Sequence, residues 1–98
     1  MYKHIILWVL KKDIKDKEEV KKGIKTNLEA LMGKIPGMTS IKVRTDFLPT
    51  SNIDVMLDCT FTSEEALKGY GVHPDHVAAA NTYVRPYTDV RLCSDYEE

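Results

Sequence analysis

Cysteine is scarce in this chain: Cys59 and Cys93 are the only two, and they lack the short paired spacings that hold zinc or build a disulfide framework. Reduced thiols in a cytosolic setting are the expectation, with a Cys59–Cys93 disulfide as the alternative. An excess of either charge is missing too. The 14 basic and 15 acidic residues leave a formal net charge of -1, so the basic footprint that nucleic-acid binding needs is absent. Long apolar runs are also lacking. The longest, Ile5 to Leu10, meets Lys11, Lys12 and Asp13 at once, too short for a membrane span or a signal-peptide core. Neither nucleic acid nor membrane is therefore expected as a partner, and the expected location is the cytoplasm. Length is the last shortage. The 98 residues make one domain over 1–98, and a chain of this size removes only about 60–70% of its unfolded surface on folding, so help from a partner is expected.

What is present reads as alternating elements. KHIILWVLKK is a strand with His4, Ile6, Trp8 and Leu10 on one face and Ile5, Leu7 and Val9 on the other, apolar on both sides. A strand over water should alternate with polar residues. DKEEVKKGIKTNLEALMGK is a helix with an Asp16/Glu19 capping box, apolar positions at Val20, Ile24, Leu28, Leu31 and Met32, and a stop at Gly33. Gly23 within it costs about 1 kcal/mol against alanine, and close packing against the sheet is one reason for a glycine there. After the IPGM turn, Ile41 and Val43 oppose Lys42 and Arg44 in a half-exposed strand. The third strand, NIDVMLDCTF, puts Ile53, Val55, Leu57, Cys59 and Phe61 opposite Asp54, Met56, Asp58 and Thr60. A Thr62/Glu65 capping box opens a short helix that Gly71 ends. Pro74 opens the next, running to Val84 before Pro86, and TDVRLCSDY is the last strand.

The order β-α-β-β-α-β is the ferredoxin-like plan of an α+β protein, a four-stranded antiparallel sheet with helices on one face. Strand one is central in that topology, so its second apolar face needs a cover from outside the subunit. A second copy meeting it face to face forms a dimeric α/β barrel across a two-fold axis. Asp54, Asp58, Lys42 and Arg44 then belong at the rim or in pairs across the interface, since unpaired charges there are costly.

YKHIILWVLK, KIPGMTSI, the CTFTSEEALKGYGVHPDH block and the terminal SDY, in this order, resemble the stress-responsive A/B barrel domain family, known as Dabb. The resemblance covers essentially the whole chain. It implies a homodimer with a cavity between sheet and helices in each subunit. One plant member, olivetolic acid cyclase, closes a linear polyketide by an intramolecular aldol step without metal or organic cofactor. By that resemblance His76 is the base and Tyr70 the hydroxyl that assists it. The residue types suit those roles: imidazole takes a proton near neutral pH, and a phenol donates to an oxyanion. The plain structural alternative is a buried Tyr70–His76 hydrogen bond tying two helices together.

GYGVHPDH, residues 69–76, also raises a metal site from His73 and His76, with His4 as a third ligand. No carboxylate stands at a recognised ligand spacing, and His73 fits better as part of the turn before the helix. No metal and no cofactor are expected. The expected cavity is lined by His4, Ile6, Trp8, Val55, Leu57, Tyr70 and His76, and binds a small apolar or carbonyl-bearing molecule. Lys25 and Leu28 on the first helix stand where the cyclase presents aromatic rings, so its particular substrate is not implied. An aldol-type cyclase or lyase is the enzymatic alternative, and a cofactor-free monooxygenase of related barrels is a second.

Overall fold

In the computed structural model, which describes residues 1–98, the alternation of β1 (Tyr2–Leu10) is realised side by side: His4, Ile6, Trp8 and Leu10 are buried, and Ile5, Leu7 and Val9 are half-buried. The Asp16 carboxylate accepts from the Glu19 amide at 3.0 Å and starts α1 (Lys17–Glu29), whose Ile24 and Leu28 are fully buried. This helix ends sooner than the apolar spacing predicts. Leu31 and Met32 fall in the turns that follow, Leu31 pointing in and Met32 out, and Gly33 supplies a positive φ of 87° there. Gly23 faces the Tyr83 ring rather than the sheet, with 3.7 Å between that ring and the place a Cβ would take.

β2 (Met38–Arg44) buries Ile41 and Val43 and exposes Lys42 and Arg44. β3 (Val55–Phe61) begins later than expected. Ile53 and Asp54 lie before it, and the Asp54 carboxylate accepts from the Leu10 amide at 2.8 Å. Ser63, not Thr62, caps α2 (Glu64–Val72), its hydroxyl accepting from the Ala66 amide at 3.0 Å. Gly71 does not end that helix. The break comes at His73, held extended at ψ 132° because Pro74 excludes the helical conformation from the residue before it. α3 (Pro74–Ala79) then widens into a π turn over Ala80–Val84 and a 3-10 turn over Arg85–Tyr87 before β4 (Thr88–Glu97).

The sheet order is β2-β3-β1-β4, every pair antiparallel, which is the ferredoxin-like arrangement. The helices cover one face, where Ile24, Leu28, Val55, Leu57 and Phe61 form the core. On the open face Leu7 pairs in register with Leu92 on one side and Met56 on the other, and Val9 with Val90. Leu92 is 58% exposed and Val90 41%. The charges of that face are settled partly inside the chain: Lys3 Nζ reaches Asp58 at 2.6 Å and the Thr60 hydroxyl at 2.8 Å. No helix is long and apolar enough to cross a membrane.

Gly37 carries the junction between β2 and α2. Its φ is 80°, its carbonyl accepts from the Thr62 amide at 2.9 Å, and a Cβ there would stand 2.5 Å from that of Ala66. Alanine meets both backbone strain and a clash at this position, each costing on the order of 1–3 kcal/mol. Gly37→Ala should therefore lower the urea midpoint by the equivalent of about 2–4 kcal/mol; a midpoint within experimental error of the wild type would contradict the close approach.

Candidate functional site

The even positions of β1 point His4, Ile6 and Trp8 under the helices, and β3 adds Leu57 at the position facing Ile6. Between them and the helices lies a cavity of about 350 Å³. It brings together His4, Ile6, Trp8, Leu57, Tyr70 and His76, with Leu28 of α1 and with Ala80 and Val84 of the π turn. Val55 is not among the lining residues. It is fully buried in the core instead. Lys25 also lies elsewhere, its ammonium held by Glu29 at 2.9 Å and by the Val43 carbonyl at 2.7 Å.

Tyr70 and His76 meet across the α2–α3 junction. Their ring centroids are 4.1 Å apart at an interplanar angle of 37°, and the Tyr70 ring also contacts His4 edge-on at 5.7 Å and Phe61 at 5.5 Å. The two rings stack, and no hydrogen bond joins them. Tyr70 is 1% exposed, and its hydroxyl has no partner at hydrogen-bond geometry. Burial pushes the Tyr70 phenol well above its ordinary range, so it stays protonated, and the Cys59 thiol is likewise pushed up to about 12.

His76 Nδ1 lies 3.3 Å from the Gly71 carbonyl. A carbonyl only accepts, so this bond places the proton on Nδ1 and leaves the Nε2 lone pair free. Burial lowers the basicity of His76, and the positive fields of Arg85 and Arg91 lower it further against that one bond. The imidazole is neutral at pH 7. A neutral base beside a protonated phenol is the arrangement that proton transfer next to a carbonyl requires.

His4 is buried on β1, and its Nδ1–H donates to the Asp95 carboxylate at 2.5 Å, directly across in the β1–β4 register. Cys93 Sγ lies 3.9 Å from the same nitrogen. His4, Cys93 and Asp95 offer donor atoms within 4.8 Å of one another, the one cluster in the chain with metal-ligand geometry. Its donor set suits a borderline metal. Against a cation stand Arg91, two residues along the same face, and the Cys93 thiol, which burial and Asp95 hold in its protonated form. The three histidines do not converge on a metal site: His73 is committed to capping α3, its Nδ1 accepting from the Asp75 amide at 3.2 Å. Cys59 and Cys93 are both free thiols.

The model of the stress-responsive A/B barrel domain, Dabb, matches residues 2–98. This chain belongs to the Dabb family. A dimeric protein of unknown function with a ferredoxin-like fold from Bacteroides fragilis is 32% identical, with a TM-score of 0.91 over 99% of this chain and 95% of that one. An Arabidopsis thaliana protein is 24% identical, with a TM-score of 0.81 over 100% of this chain and 95% of its own. Hydroxynitrile lyase from Passiflora edulis shares the fold at 18% identity, with a TM-score of 0.78 over 97% of this chain and 90% of that one. A search among curated proteins finds no match.

Several lining groups of this Dabb chain go unmarked in the sequence reading: Arg85, Thr88, Arg91, Cys93 and Asp95. The signal for the last three was the period of two in RLCSD, which places residues 91, 93 and 95 on one face. Only the register with β1 shows that this is the face of His4.

The unpartnered Tyr70 hydroxyl separates stability from function. Tyr70→Phe removes a buried polar group that has no partner, so thermal stability should hold or rise by up to about 1 kcal/mol equivalent. A clear loss of stability would mean that the hydroxyl is bonded in the folded protein.

Proposed function

We propose that two copies of this Dabb chain pair through their open sheet faces, and that each cavity binds a small carbonyl compound and moves a proton at its α-carbon. His76 Nε2 takes the proton from carbon, the electron pair passes to the carbonyl oxygen, and the Tyr70 hydroxyl donates to the enolate that results. Aldol-type closure and the reverse, lyase-type cleavage, both run through such an enolate. One observation carries the reading: a free Nε2 and an unpartnered phenol belong to rings stacked at 4.1 Å in one cavity. A buried phenol placed only for packing would be expected to find a protein partner, as the other nitrogen of His76 does in the Gly71 carbonyl.

Pairing is supported by the apolar open face and by the Bacteroides fragilis relative, itself a dimeric protein. Two free thiols agree with a reducing, cytoplasmic setting. A role under stress rests on the family to which the chain belongs.

The test is hydrogen exchange in heavy water. Proton NMR of 4-phenylbutan-2-one and 4-phenyl-2-oxobutanoate should show α-proton signals decaying faster with protein than in buffer, in proportion to its concentration and more slowly with Tyr70→Phe. Buffer-level exchange for both compounds would sink the catalytic reading.

A further inference from the structure

The cavity wall is positive in a chain whose net charge is -1. Lys68, Arg85 and Arg91 line it against a single carboxylate, Asp95, which is already engaged by His4. Lys68 is answered by Glu64 at 3.0 Å, but neither Arg85 nor Arg91 forms an ion pair with any carboxylate of the chain. Arg85 donates only to the neutral Asn81 side-chain oxygen. Arg91 stands across from Trp8 in the sheet register, on the covered face, so its guanidinium shares the cavity with that ring.

Arg85 and Arg91 are exposed residues, while much of the remaining lining is apolar: Ile6, Trp8, Leu28, Leu57 and Val84. A neutral ligand would leave two cations unanswered beside a cavity of about 350 Å³. An anion with an apolar body answers both features, since guanidinium groups bind carboxylates with directed, charge-assisted hydrogen bonds. The positions of the charges fit the chemistry as well. Arg91 lines the same cavity as His76 and Tyr70, and its positive field reaches both.

We propose that the ligand of this cavity is an oxo acid, with its carboxylate at Arg91 and Arg85, its carbonyl toward Tyr70 and its hydrocarbon part on Trp8 and Leu57. This rests on the reading of the cavity as a carbonyl site and narrows it to anionic compounds. A bound carboxylate also cancels the positive field on His76. The base therefore becomes more basic when an acid occupies the site, and less so when a neutral ketone does.

Two compounds of nearly the same shape separate charge from size. Binding of 4-phenyl-2-oxobutanoate and of 4-phenylbutan-2-one, which carries a methyl group in place of the carboxylate, is measured by calorimetry at low and high salt. The acid should bind at least tenfold tighter at low salt, and added salt should erode that preference. Arg91→Gln, and more fully Arg91→Gln with Arg85→Gln, should bring the acid to the level of the ketone. The His76 imidazole proton signal should titrate at higher pH with the acid bound than without ligand.

Equal affinity for the two compounds, an acid affinity indifferent to both arginine substitutions, or no binding of the acid at all would each overturn the inference. The two readings fail separately. Arginine-dependent binding of the acid without α-proton exchange would remove the catalytic role and keep the anion site. Exchange of both compounds with equal, arginine-independent affinity would do the reverse.

Discussion

Leu7→Glu should turn a dimer into a folded monomer. Leu7 lies in the middle of the central strand, between Leu92 and Met56 on the open face, and is only half-buried within its own subunit. Inside the subunit a glutamate there stays solvated. In a two-fold interface the substitution occurs twice, and each carboxylate must be stripped of water without a partner, a cost of several kcal/mol per ion. Sedimentation at micromolar concentration should give the single-chain mass, with the far-ultraviolet circular dichroism of the wild type. Leu92→Lys is a second probe from a side chain already 58% exposed, and it should shift the same equilibrium. Undiminished dimerisation of both variants would show that the sheets do not meet through this face.

His76→Gln carries the second large effect. Glutamine keeps a group able to donate to the Gly71 carbonyl but cannot take a proton from carbon, so α-proton exchange should fall by about 10²–10⁴-fold, the usual contribution of a positioned general base. Its pH profile follows from the lowered basicity of His76. The working form is the neutral imidazole, so the wild-type rate should be flat above pH 6.5 and fall only once the pH drops through the depressed value. Stability has the same sign. Below the ordinary value of 6.5 the unfolded chain binds a proton that the folded chain still refuses, so acidification costs stability, and it stops costing more below the depressed value. In His76→Gln that component of the pH-dependent melting temperature should vanish. An unchanged exchange rate would assign the base to another group.

Local rules written in consecutive residues were legible before any fold was known. The period-two pattern of KHIILWVLKK fixes which side chains of β1 go under the helices, since neighbouring Cβ atoms of a strand must point to opposite faces. Asp16 caps because its carboxylate can reach an amide three residues on, and Pro74 forbids a helical His73 through its own ring. Boundaries set by competition were misread. Ser63 and Thr62 are both competent caps, and Thr62 goes instead to the Gly37 junction, a contact from a distant part of the chain. The helix through Gly71 persists because glycine only weakens a helix, and tertiary packing can outweigh that cost.

Sequence alone determined the order of elements and the doubly apolar central strand, and it put His76 and Tyr70 forward as the candidate pair. Tertiary structure alone decided their surroundings. Which residue of β4 lies against which of β1 depends on a register that a one-residue slip would reverse, so the Asp95–His4 bond and the place of Arg91 beside Trp8 could not be read along the chain. The same holds for Lys25, turned away toward Glu29, and for Val55, buried in the core and absent from the cavity lining. Side-chain periodicity is local and travels with the sequence; charge, solvation and hydrogen bonding at a site are sums over neighbours that only folding brings together.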